Sequence, residues 1–256
     1  MTPKRKTPDE ARIRKAAAVK NLGKVRLIHK HPLAIRWFHW VNFPILFVMI
    51  WSGLLIYWAN DVYRIGIGSR TLFEFFPASF YKALGVPQRL AEGMALHFAF
   101  MWVFALNGIA YVGYLLFSGQ WRCLLPKRES WREAGQVLLH DLHLRKEAPP
   151  QVKYNAAQRF AYSAVIMMGA GSLATGVAIY KPVQAGWLTP LFGGYELARF
   201  WHFWLAIGFC GFFFIHILQV LRAGYNAFRA MVTGWEIAPA DSVATPAPPE
   251  DQTPDL

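Results

Sequence analysis

His202 and His216 stand fourteen residues apart in one apolar segment, about residues 198–221. Such a segment is long enough to span a bilayer as a helix. Fourteen residues rise about 21 Å and turn through about 1400°, about 40° short of four full turns. Both imidazoles therefore point the same way, at two depths of one helix. Imidazole is the commonest protein ligand of metals, and ionisable side chains inside a membrane are costly and mark function. Two further histidines extend the pattern: His39 near the start of the first apolar segment and His97 near the start of the second. His29, His31, His140 and His143 fall outside these segments.

The elements that must position these side chains are four apolar stretches, about residues 33–58, 93–117, 160–180 and 198–221. Each reaches the roughly 20 residues a spanning helix needs. Helices satisfy their own backbone hydrogen bonds, which lipid cannot do. The fold expected is all-α and integral to a membrane, a bundle of four transmembrane helices. Residues 1–32 form a basic arm, 33–230 the bundle, and 231–256 a disordered Pro-rich tail. The first 32 residues lack an apolar core, so no cleavable signal peptide is expected.

A net charge of +12 raises the question of nucleic acid, but its distribution fits a membrane. Residues 1–36 hold eleven Lys/Arg and the stretch 122–153 holds seven, against one, Lys181, between the third and fourth segments. By the positive-inside rule both termini are cytoplasmic, in a multi-pass protein of the bacterial inner membrane. Thr7-Pro8-Asp9-Glu10 reads as a helix start, and the basic helix after it is expected to lie on anionic lipid. The segment 69–86 is broken by Glu74, Pro77 and Lys82. It suits an interfacial helix on the outer side, whose aromatics serve docking and lipid packing equally well. Residues 129–143 show helical periodicity, with Trp131, Val137, Leu138 and Leu142 for one face and His140 and His143 solvated.

With this topology the depths match in two pairs. His97 and His202 fall near the outer face, and His39 and His216 near the inner face, about 20 Å apart along the membrane normal. Taken singly, each histidine is most simply a buried, hydrogen-bonded side chain. Four forming two depth-matched pairs point to two haem b groups, because two imidazoles fill the axial positions of haem. A zinc site wants three or four protein ligands. Cys123 and Cys210 are the only cysteines and form neither a C-x-x-C-H attachment site nor an iron–sulfur spacing. Arg36 and Arg199 each precede a histidine by three residues, so they are surface neighbours of His39 and His202 on a helix and suit the carboxylates of a large cofactor. The small-residue run 169–176 allows close packing of the third helix, and Gly53, Gly208 and Gly211 are candidates for making room for a porphyrin face.

These residues resemble a family: the prokaryotic di-haem cytochrome b subunits of formate dehydrogenase, nickel–iron hydrogenase and thiosulfate reductase complexes. The resemblance covers about residues 30–230. It rests on R-x-x-H-W at Arg36–Trp40, on His97, on the spacing of His202 and His216, and on Lys153-Tyr154-Asn155-Ala156-Ala157-Gln158. The last is similar to a K-Y-N-A-G-Q motif at a quinone pocket beside the inner haem of formate dehydrogenase, with Ala157 in place of its glycine. The resemblance implies that Asn155, with Gln158 as a weaker neighbour, binds quinone (ubiquinone or menaquinone). It further implies electron passage between a periplasmic oxidoreductase, molybdenum- or nickel-dependent, and the quinone pool, through the outer haem (His97/His202) and the inner haem (His39/His216). The outer loop 181–197, with Trp187 and Tyr195, is a candidate partner surface.

Such a chain is an electron-transfer subunit rather than an enzyme on its own, and no catalytic residue is assigned. Two rivals are a self-contained superoxide:quinone oxidoreductase, which shares the ligand pattern, and a haem-free transporter or scaffold. Most mid-membrane positions lack charge, which argues against a transporter.

Overall fold

A computed structural model describes residues 25–60, 63–127, 130–141 and 156–239. Strand β1 (Val25–His29) leads into helix α1 (Leu33–Tyr57). A hairpin of β2 (Arg64–Ile67) and β3 (Arg70–Glu74) and the short helix α2 (Ala78–Ala83) connect it to α3 (Leu90–Phe117). Helices α4 (Trp121–Leu124) and α5 (Ser130–Asp141) precede α6 (Ala156–Tyr180). Helix α7 (Tyr195–Ala223), helix α8 (Tyr225–Thr233) and strand β4 (Trp235–Pro239) follow.

Helices α1, α3, α6 and α7 are long and apolar enough to cross a membrane, as the sequence leads one to expect. Their large apolar side chains stay exposed, Phe47, Leu106, Met167 and Phe214 among them. That suits a lipid solvent, because lipid tails take up apolar surface that water rejects. Pro44 lies inside α1, a placement that neighbouring helices make tolerable in membrane spans.

The closest helix pairings are α1 with α3 and α6 with α7. Gly93 of α3 explains the first. A Cβ there would come within 2.7 Å of Leu55 Cβ and 3.1 Å of the Ser52 carbonyl oxygen, so only glycine lets the two backbones approach this far. Nearer the other end, the Asn107 amide donates to Asn42 Oδ1 at 2.8 Å, a polar link of the kind that fixes helix register in an apolar interface.

One end of the bundle carries the β2–β3 hairpin, and the other carries the described basic residues Arg26, Lys30, Arg36, Arg122 and Lys127. At the hairpin end, Tyr81, Leu55 and Val86 form a small buried core with Trp51, Trp58, Phe76 and Phe80 around it. The Tyr81 hydroxyl donates to the Leu54 carbonyl at 3.0 Å. The expected interfacial helix over 69–86 is therefore corrected: residues 70–74 are a strand, and only 78–83 are helical. The turn Gly68-Ser69, with Gly68 at φ +60°, closes a two-residue hairpin loop, which needs positive φ. Phe75 and Phe76 fold inward, Phe75 onto Phe203 and Trp204 at 5.4 Å each, while Phe73 stays exposed. Burial among these rings pushes the Tyr63 hydroxyl above its ordinary range, against the opposing pull of Arg199. Trp187 and Tyr195 are exposed at this end.

At the basic end, β1 pairs antiparallel with β4, from Val25 against Pro239 to His29 against Trp235. Lys30 and Glu236 make an ion pair at 2.8 Å, and the Asn226 amide closes two hydrogen bonds on the Ile237 backbone, at 2.8 and 3.0 Å. The expectation of disorder from residue 231 is thus corrected over 231–239, which complete α8 and form β4. The basic arm likewise ends in a strand at 25–29. Helix α5 lies where expected, burying Val137 and setting Trp131 against Phe160 at 4.3 Å. The helix after Thr7, the side chain of His140 and residues Leu142, His143 and Asn155 lie outside the described residues.

Candidate functional site: two histidine pairs

The four spans bring the four histidines together in the two pairs expected. His97 of α3 and His202 of α7 have ring centroids 6.2 Å apart, with planes at 70°. His39 of α1 and His216 of α7 are 6.0 Å apart, with planes at 57°. Each pair reaches from one close helix pairing, α1 with α3, across to the other, α6 with α7. The histidines therefore line the seam between two helix hairpins, at the hairpin end and at the basic end respectively.

The spacing suits one metal ion held between two imidazoles. With a metal–imidazole bond of about 2.0–2.1 Å, an ion held by both rings would place their centroids about 6 Å apart. Among the described residues no group of three or more His, Cys, Asp or Glu could hold a metal by protein ligands alone. Two ligands per pair fit haem, which brings four equatorial nitrogens of its own, and do not fit a structural zinc site.

The hairpin-end rings are held by hydroxyls. Ser52 Oγ lies 2.9 Å from His97 Nδ1, and Thr175 Oγ1 lies 2.9 Å from His202 Nδ1. Each hydroxyl also donates to its own helix: Ser52 to the Met49 carbonyl at 3.1 Å, Thr175 to the Gly171 carbonyl at 2.7 Å. The residue after each hydroxyl is glycine. A Cβ at Gly53 would stand 3.7 Å from His97 Cε1, and one at Gly176 would stand 3.3 Å from His202 Cε1. Gly176 thus makes room for a histidine ring edge, while a methyl at Gly53 would make ordinary contact. Gly208 faces Met168 Sδ, and Gly211 has open space about it.

The basic-end pair has different support. His39 Nδ1 is buried with no hydrogen-bond partner among the described residues. Its ring meets Trp40 edge-on at 5.0 Å, and His216 stacks on Phe212 at 5.8 Å and 7°.

The two arginines are engaged with the protein. Arg36 donates to the Val232 carbonyl at 2.6 Å, near the C-terminus of α8, where cations are favoured. Its Nε is buried with no hydrogen-bond partner among the described residues. Arg199 pairs with Glu196 at 3.2 Å and, with the Asn60 amide turned to satisfy both groups, donates to its oxygen at 2.8 Å. Gln158 is exposed on the first turn of α6 at the basic end. Sequence reasoning missed Ser52 and Thr175. Thr175 sits inside the small-residue run read only as packing, and the legible signal was a hydroxyl followed by glycine within an apolar span.

Membrane-length helices that join paired histidines at two levels have the architecture of a multi-pass membrane cytochrome. The chain belongs to the prokaryotic cytochrome b561 family, whose model matches residues 30–234. This bears out the resemblance to cytochrome b subunits and implies haem b. A relative from Azospira oryzae, described as the putative protein-methionine-sulfoxide reductase subunit YedZ1, is 31% identical over 191 residues, covering 74% of this chain and 89% of its own length.

Proposed function

We propose that this chain is the electron-transfer subunit of a periplasmic oxidoreductase in the bacterial inner membrane, with both termini cytoplasmic, exchanging electrons with the quinone pool. The observation that carries the reading is the meeting of four histidines from three spans in two pairs, at 6.2 and 6.0 Å. His97 and His202 would hold one haem b, and His39 and His216 the other. Bound haem supplies reversible one-electron chemistry at its iron. The protein supplies the ligands, their orientation and an apolar surround.

The unpartnered Arg36 Nε offers a donor to a cofactor carboxylate at the basic end, and Arg199 stands one turn before His202 for the same use. Quinone exchange belongs at the basic end. An open groove lined by Leu33, Arg36, Trp37 and Trp40 lies there, Gln158 stands on the first turn of the third span, and Asn155 precedes that span in sequence. The relative's name favours a partner that reduces oxidised methionine; the resemblance of the sequence motifs favours a molybdenum- or nickel-dependent oxidoreductase. The exposed Trp187 and Tyr195 at the hairpin end are its docking candidates. A pyridine haemochrome assay of the purified full chain tests the reading. About two haems per chain, all extractable by acidic acetone, are expected, since no C-x-x-C-H exists. A haem-free protein from haem-replete cells would refute it.

A further inference from the structure

We infer that Ser52 and Thr175 are positioning residues that set the tautomer and ring orientation of the two hairpin-end ligands, and so tune that haem's affinity and potential separately from the other. The inference rests on the two-haem reading above and deepens it.

A Ser or Thr hydroxyl has one proton to donate and two lone pairs. The Ser52 proton points to the Met49 carbonyl, and the Thr175 proton to the Gly171 carbonyl, with the Ser172 carbonyl at 3.3 Å as a second acceptor. This is the usual back-bond of a hydroxyl inside a helix. Each oxygen can then meet its imidazole only as an acceptor, at 2.9 Å in both cases. The histidine proton must sit on Nδ1, and the Nε2 lone pair is left free for a metal. The reverse tautomer would turn each hydroxyl proton to Nδ1 and give up its bond to the helix carbonyl. Both residues are completely buried, so no water replaces the bond that carbonyl would lose, and the Nδ1–H tautomer keeps both hydrogen bonds.

The two supports are alike in sequence as well as geometry. Ser52-Gly53 on α1 backs the ligand from α3, and Thr175-Gly176 on α6 backs the ligand from α7. In each the hydroxyl takes Nδ1 while the glycine leaves space for the Cε1 edge. A hydrogen bond from the distal ring nitrogen fixes a ligand histidine and makes it a better electron donor, and losing such a partner typically costs about 10–100-fold in affinity. A better donor favours ferric iron, so the hydroxyls lower the potential of the haem they support. At the other pair His39 Nδ1 has no such partner among the described residues.

The test uses the full chain in detergent, purified from haem-replete cells. The hairpin-end centre is identified as the one that His202→Ala removes. Ser52→Ala and Thr175→Val delete the hydroxyls with little change of volume, and Thr175→Ser keeps one. Potentiometric titration and the rate of haem transfer to apomyoglobin are read for each centre. Ser52→Ala and Thr175→Val should each raise the potential of the hairpin-end haem and weaken its retention by about tenfold. The basic-end haem should be unchanged, and Thr175→Ser should restore wild-type values. If Thr175→Val fails to accumulate, Ser52→Ala decides alone. Wild-type behaviour of the hairpin-end centre in Ser52→Ala, or a Thr175→Ser protein that behaves like Thr175→Val, overturns the inference. A wild-type protein without two haems overturns instead the reading beneath it.

Discussion

His97 and His202 each meet a buried hydroxyl at 2.9 Å, whereas the buried Nδ1 of His39 meets no partner among the described residues. The two pairs have nearly the same spacing, yet one is oriented by hydrogen bonds and the other by aromatic edges and a stacked phenylalanine. Hydrogen bonds specify a tautomer, and ring packing specifies only a plane. Matched ligand sets need not make matched sites. On the proposed function, unequal centres would serve electron transfer between unlike partners, and two residues on the helices behind the ligands would make them so.

Removing both hydroxyls should erase the contrast most completely. In Ser52→Ala/Thr175→Val the hairpin-end haem should lose more than either single variant, up to about 100-fold in retention if the two supports act independently. Haem transfer measured on the double and single variants gives the coupling. A smaller effect is expected where the basic end differs in use. If that end exchanges quinone, Asn155→Leu should slow quinol-driven haem reduction several-fold, the equivalent of one hydrogen bond of about 0.5–1.5 kcal/mol, with both haem spectra intact. Stopped-flow mixing at equal haem content checks this, and wild-type rates at all quinol concentrations would remove Asn155 from the pocket.

The smallest effect separates the two glycines. A methyl at Gly176 would press on His202 Cε1 at 3.3 Å, while one at Gly53 would make ordinary contact with His97 at 3.7 Å. Gly176→Ala should therefore cost about 1 kcal/mol more than Gly53→Ala, in the range of mild overpacking. Both gain the same helix propensity, so thermal unfolding of the two holoproteins isolates the contact.

The spans and the pairing were legible because they depend on long apolar runs and on a fourteen-residue spacing that a helix turns into one face. The β2–β3 hairpin was not. Its strands are four and five residues long, and its aromatics read as one amphipathic stretch until Phe75 is seen packed on Phe203 and Trp204. Strand β4 was hidden by a Pro- and Ala-rich context, since its order comes from β1, more than 190 residues earlier in the chain. Ser52 and Thr175 were hidden for another reason: a single hydroxyl in an apolar helix usually bonds its own backbone, and only the neighbouring helix shows that it has a second partner. Arg36 was read as a carboxylate ligand from its place one turn before His39. That place also points it at the end of α8, which sequence spacing cannot reveal.

Four single variants, read by EPR and redox titration at constant protein, decide whether the histidines act as two pairs. His97→Ala and His202→Ala should remove or convert one and the same centre, and His39→Ala and His216→Ala the other, because a missing axial ligand loses the haem or leaves five-coordinate iron. Loss of the same centre from His97→Ala and His216→Ala would contradict the pairing.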